Sequence, residues 1–174
     1  MNHYLLCEIN DESLKELHDA LYSGEDPFYL DISTDGGDSA TMFAMFELLQ
    51  IVPRNVIGTA IGRCQSAGVL VLAGCDIRRA SANTIFMVHE DSYEIEGGHN
   101  ETRKIVEQHE VEEILWAELM QSVTKIDANE WRNLSNNTTY FTTEYALSYG
   151  LLDEIVVKVS NKEFKRRNGN ANEE

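Results

Sequence analysis

Cysteine, proline and basic residues are all scarce in this 174-residue chain, and each shortage narrows what it can be. The three cysteines, Cys7, Cys64 and Cys75, are odd in number and lack CxxC spacing. That argues against a disulfide framework or a zinc site and for reduced thiols in a cytoplasmic setting, a bacterial or phage-infected cell. With only two prolines, Pro27 and Pro53, and no internal linker or repeat, residues 1–160 read as a single domain long enough to bury a core. Lys and Arg together number 14 against 30 Asp and Glu, a net charge of −16. Phosphate contacts need clustered cations, so a nucleic-acid surface is not expected. The one basic cluster, Lys165-Arg166-Arg167, falls in a polar tail, residues 161–174, that reads as disordered. Long hydrophobic runs are missing too. The longest, Val69 to Cys75, is far too short to cross a bilayer. The N-terminus lacks the charged and apolar regions of a signal peptide. No residue spacing points to a metal, and no cofactor is expected.

What is present alternates. Tyr4–Ile9 reads as a strand, and Asp11-Glu12-Ser13 opens an amphipathic helix carrying Leu14, Leu17 and Leu21. Phe28–Ile32 is a strand, Gly36-Gly37 a tight turn, and Ala40–Ile51 a helix. A strand over Val56–Ile61 leads through Ser66 into a buried helix, Ala67–Gly74, and strands follow at Ile77–Arg79 and Thr84–Val88. A long helix runs from Glu101 to about Lys125. Its apolar stripe includes Ile105, Val106, His109, Ile114 and Leu115, with Glu110, Glu112, Glu113 and Glu118 facing water. This stripe either covers its own core or meets another subunit. Trp131–Tyr140 reads as a polar loop, Glu144–Tyr149 as a short helix with Gly150 its C-cap, and Leu151–Val159 as a last strand. Strands alternating with helices give an α/β fold with a largely parallel sheet.

The chemistry concentrates at Ser66, in Gly62-Arg63-Cys64-Gln65-Ser66-Ala67-Gly68, and at His89, which closes Ile85-Phe86-Met87-Val88. A serine among small residues leaves room for a substrate carbonyl. A histidine ending an apolar run is held rigidly. Together they suggest a nucleophile and its general base. Ser66 alone would more often be a helix N-cap, and the two roles are compatible. Backbone amides at Gly36-Gly37 and at Ala67 could hold a developing negative charge. Cys64 is a weaker alternative nucleophile, and the acidic run Glu90, Asp91, Glu94, Glu96 reads as a solvated edge.

With these residues placed, the chain resembles the proteolytic subunit of the Clp proteases, in its short phage-type variant. The family's Ser-Pro-Gly-Gly turn appears as Thr34-Asp35-Gly36-Gly37 and its nucleophile segment as Gly62–Gly68. Its Leu-Ala-Gly-x-x-x-Arg stretch appears as Leu72–Arg79, and its Asn-x-x-x-Met-Val-His stretch as Asn83–His89. Its late motif appears as Phe141–Ala146 and Tyr149-Gly150-Leu151-Leu152-Asp153. The likeness runs from about residue 4 to about residue 158, and ordered agreement of these segments is far more specific than any one.

The resemblance implies a ClpP/crotonase-like fold of stacked β-β-α units, with the long helix protruding as a handle between two heptameric rings. It implies a serine endopeptidase acting on peptides or unfolded protein inside that homo-oligomer. Ser66 would be the nucleophile, His89 the base, and the Gly37 and Ala67 amides the oxyanion hole. Tyr93–Gly98 would edge the peptide-binding groove. The family's third triad member, usually an aspartate, falls on Thr138, with Asn137 adjacent, and neither carries a charge. The chain also opens almost at its first core strand, where family members carry a further segment that engages an unfoldase. An AAA+ unfoldase partner is therefore left open. The uncharged third position keeps a low-activity or inactive scaffold or regulatory subunit as the alternative. An acyl-CoA enzyme on the crotonase fold is weaker, because it leaves the Ser66/His89 pairing unexplained.

Overall fold

The structure is a computed structural model and describes residues 3–24, 26–92 and 97–157. The tail 161–174 and the basic cluster within it lie outside the described residues, as does most of the expected groove edge, residues 93–96.

The elements follow in the order β1 (His3–Leu5), α1 (Asp11–Leu21), β2 (Phe28–Thr34), α2 (Ser39–Ile51), β3 (Val56–Gln65), α3 (Ala67–Ala73) and β4 (Ile77–Ser81). Then come β5 (Ile85–Val88), α4 (His99–Val123), α5 (Ala128–Asn136), β6 (Thr139–Thr142), α6 (Thr143–Ser148) and β7 (Glu154–Val156). Parallel strands in the order β1-β2-β3-β4-β7 form the main sheet of the mixed α/β fold expected from the sequence. Its core is aliphatic. Leu30, Ile32, Val56 and Ala60 from the strands pack with Leu17, Met45 and the wholly buried α3.

The long strand β3 does two jobs. Ile57–Ala60 pairs with β4, whereas Arg63–Gln65 pairs with β5, which in turn pairs antiparallel with β6. The switch occurs where the β2–β3 register slips, between Ile32↔Ala60 and Thr34↔Cys64. Gly62 lies in that slip at φ +74, a conformation open to glycine. The bend re-aims the end of β3, and with it Ser66.

Several sequence expectations need correction. The first strand ends at Leu5, and Ile9 makes only an isolated bridge, to Gly37. Helix α1 is capped by Asn10, which exchanges bonds with Ser13 in a capping box (3.0 Å each way). Residues 131–140 are not a loop. Asp127 caps α5 by accepting from the Glu130 amide at 2.9 Å, and β6 follows directly. Trp131 is fully buried and donates its indole N–H to Thr124 Oγ1 at 2.9 Å. Trp131, with Ala128 and Leu134 one turn to either side, faces the core, a short apolar face among polar residues. The last strand is shorter than read, ending at Val156.

Helix α4 buries only Ala117 and Met120 completely. Val111, Ile114 and Leu115 stand exposed, so the apolar stripe covers the protein's own core only over its C-terminal half. Among the described residues no helix is long and apolar enough to cross a membrane.

Candidate active site

Ser66 sits between β3 and α3 with φ 51 and ψ −123, an unfavourable backbone for a residue with a Cβ. Two contacts hold it there: its amide donates to Met87 O at 2.7 Å, and its carbonyl accepts from the Val69 amide at 3.0 Å. It occupies the N-cap position of α3, but its side chain makes no capping bond. The hydroxyl instead lies 2.9 Å from His89 Nε2. This sharp strand-to-helix turn presents a side-chain oxygen at the head of the sheet. His89 follows β5 directly, and β5 pairs with the last residues of β3, so one ladder sets both ends of the contact.

The Gly36-Gly37 turn crosses beside them. Thr34, buried at the end of β2, accepts the Gly36 amide on its hydroxyl at 3.0 Å. Ile9 clasps the turn from outside, donating to Gly36 O and accepting from the Asp38 amide, both at 2.9 Å. In such a parallel bridge Gly37's own amide points to the opposite edge. Gly37 and Ser66 both line one cavity. Glycine is obligatory here. A Cβ on Gly37 would lie 2.1 Å from Ile9 O, and one on Gly36, at φ +114, would lie 2.6 Å from Ser66 Cβ. Asp38 then caps α2, accepting from the Thr41 amide at 2.7 Å, and the Thr41 bonds hold its carboxyl below the usual range. Ala67 is the first residue of α3, where an amide has no intrahelical acceptor.

Cys64 is not placed to act. It is completely buried, its thiol donates to Gly68 O at 3.2 Å, and burial, with Cys75 nearby, pushes its titration far up. Only a thiolate is strongly nucleophilic. Burial likewise pushes Cys75 up to about 12.

Thr138 and Asn137 follow α5. The β5–β6 ladder ends with Val88 opposite Thr139, and His89 and Thr138 are the residues next beyond that last pair. Thr138 is exposed and takes φ +44, and its amide donates to Ser135 O at 3.0 Å. The Asn137 side-chain amide turns back to Asn133 O at 2.8 Å. Ser135, which no sequence motif marks, is buried and lines the same cavity as His89.

That cavity, about 310 Å³, opens beside Ser66. The sequence reading put Glu112 and Glu113 in water and Asp91 on a solvated edge; instead all three line the cavity. Asp91, His109 and Glu112 have ligand-type atoms within 4.8 Å of one another, the one such group among the described residues. His109 Nδ1 lies 3.4 Å from Glu112 Oε2 and 3.9 Å from Asp91 Oδ2.

The family model described as Clp protease matches residues 7–159. The ATP-dependent Clp protease proteolytic subunit 2 of Pseudomonas aeruginosa is 28% identical over 151 residues, covering 83% of this chain and 73% of that protein. The protein of the same description from Treponema pallidum is 25% identical over 134 residues, covering 76% of this chain and 67% of its own length. That of Thermobifida fusca is 28% identical over 127 residues, 72% of this chain and 63% of its own. By its sheet, by its serine turn and by a family match over nearly its whole length, this chain belongs to the Clp protease family.

Proposed function

We propose that this protein is a serine endopeptidase in which Ser66 attacks the scissile carbonyl and His89 is the general base. The observation that carries the reading is the 2.9 Å contact between Ser66 Oγ and His89 Nε2, made on a strained turn at the head of the sheet. His89 takes the hydroxyl proton as Oγ bonds to the carbonyl carbon. Negative charge moves to the carbonyl oxygen, where the Gly37 and Ala67 amides supply two donors. His89 returns the proton to the leaving amine, and water repeats the sequence to release the acyl group. The imidazole proton then sits on Nδ1, where the Thr138 hydroxyl is the acceptor and Asn137 the alternative.

The substrate is a peptide or an unfolded segment. The exposed Val111, Ile114 and Leu115 of α4 are the kind of face that a second ring would cover, so hydrolysis takes place inside a homo-oligomer built on this helix.

A fluorophosphonate probe tests the assignment. Wild-type protein is expected to form a one-to-one adduct that peptide mapping puts on Ser66. An unlabelled serine, or an adduct elsewhere, sinks the reading.

Gly36 gives an independent check. Gly36→Ala forces a Cβ against Ser66 at a positive φ, and is expected to cost about 2 kcal/mol of stability and about tenfold in peptide turnover. Gly24→Ala carries the strain alone, since φ is +90 there and nothing lies within 4 Å. Denaturant titration and hydrolysis of the same peptide separate the two, with turnover retained only in Gly24→Ala.

A further inference from the structure

We infer that the cavity beside Ser66 receives a basic side chain of the substrate, lysine or arginine, whose charged head is held by Glu112 and Asp91. The inference rests on the reading of Ser66 as nucleophile and names the substrate class of that site. The cavity is two-natured. Its walls include Met42 and Phe43 of α2 and Val106 and Trp116 of α4. Its polar side carries Glu110, Glu112 and Glu113 of α4 and, from the segment after His89, Glu90 and Asp91. No lysine or arginine is among the lining residues described. Apolar walls beside carboxylates suit a side chain with an aliphatic stem and a cationic head. Trp116 offers a ring face for a guanidinium.

The carboxylates differ in what already occupies them. Glu113 is matched by Arg132 at 2.9 Å, and Glu110 is exposed. Among the described residues no lysine or arginine forms an ion pair with Glu112 or Asp91, which approach His109 Nδ1 from two separate elements. Both are held in place. Gln108 Nε2 donates to Glu112 Oε1 at 2.7 Å, and Ser39 Oγ donates to Asp91 at 3.1 and 3.2 Å. The Glu112 side chain is only 21% exposed. The two carboxylates lie close together around His109, and an ammonium or guanidinium entering the cavity relieves their mutual repulsion where water is partly excluded at Glu112. An apolar side chain would cover Glu112 and return nothing for its lost hydration. A carboxylate side chain would add a further like charge. The chain's net charge of −16 works in the same direction, favouring approach of basic peptides.

The test uses peptides identical except for the residue before the scissile bond, which is Lys, Arg, Leu or Glu, each assayed with and without EDTA. Hydrolysis is followed in wild type, and binding of the same peptides to Ser66→Ala by calorimetry. Lys and Arg peptides are expected to exceed Leu by about tenfold or more, with Glu lowest, as one charge-assisted contact allows. Glu112→Gln should lower the Lys-to-Leu ratio about tenfold, while Glu118→Gln, the same charge change on the exposed face of α4, leaves it unaltered. Equal or reversed preference for Leu, or a ratio that Glu112→Gln does not move, overturns the inference. So does a basic preference that appears only when EDTA is omitted, because the acids would then be acting through a metal ion. Binding to Ser66→Ala does not need the nucleophile, so failure of the peptidase reading shows separately, as lost labelling with the binding preference intact.

Discussion

Ser66→Ala and His89→Ala are each expected to reduce peptide turnover by about 10²-fold, and the double variant by no more than either alone. The magnitude follows from the uncharged third position. In a serine protease with a complete triad, removing serine or histidine costs about 2 × 10⁶-fold and removing the aspartate about 3 × 10⁴-fold, so a dyad without its carboxylate retains about 10² to lose. Serine and histidine act as one unit, which is why the losses do not add. The measurement is kcat on a small fluorogenic peptide, with KM and circular dichroism checking that binding and fold persist. Losses that multiply in the double variant would show that Ser66 and His89 do not form one proton-transfer pair. A loss near 10⁶ for either single variant would show that His89 already has a strong partner.

Thr138→Asp is expected to raise kcat by about 10²-fold, part of the roughly 10⁴ that an aspartate in this role contributes elsewhere. A carboxylate accepting from Nδ1 fixes the tautomer with Nε2 free to take the Ser66 proton, and it stabilises the imidazolium that forms. His89 and position 138 are the residues next beyond the last β5–β6 pair, Val88 with Thr139. Its backbone also suits the change, because Asp tolerates the φ of +44 better than the β-branched Thr138 does. The gain should vanish in Thr138→Asp combined with His89→Ala. A rate that does not rise, in a protein of unchanged stability, would place the partner of Nδ1 elsewhere, with the buried Ser135 the next position to change.

Local signals in this chain are strong where one element meets one surface. Phe28–Ile32 reads as a strand and forms part of β2, and Val69–Leu72 reads as buried and is. Ser66 and His89 stood out because each lies where a regular element ends, and such ends are where a side chain is fixed and yet accessible. Residues 131–140 read as polar because α5 is short and its core face is only Ala128, Trp131 and Leu134 among polar side chains. Glu112 and Glu113 misled for a different reason. Helical periodicity assigns each residue to an inner or an outer face of one cylinder. Helix α4 is also flanked along its side, by Asp91 from the segment after β5, which lies near His109, and by Arg132 from α5, which pairs with Glu113.

The sequence by itself determined the alternating α/β order, the acidic charge, the serine–histidine pair and the Gly36-Gly37 turn, since each depends on residues close together along the chain. Only the tertiary structure decided that Ser66 Oγ and His89 Nε2 stand 2.9 Å apart, that Gly36 presses on Ser66, and that Asp91 and Glu112 share one cavity wall. Those facts rest on the bend of β3 at Gly62 and on the packing of α4 beside the end of β5. Contacts between segments so far apart in sequence have no local signature, because neither partner's neighbours carry the other's position.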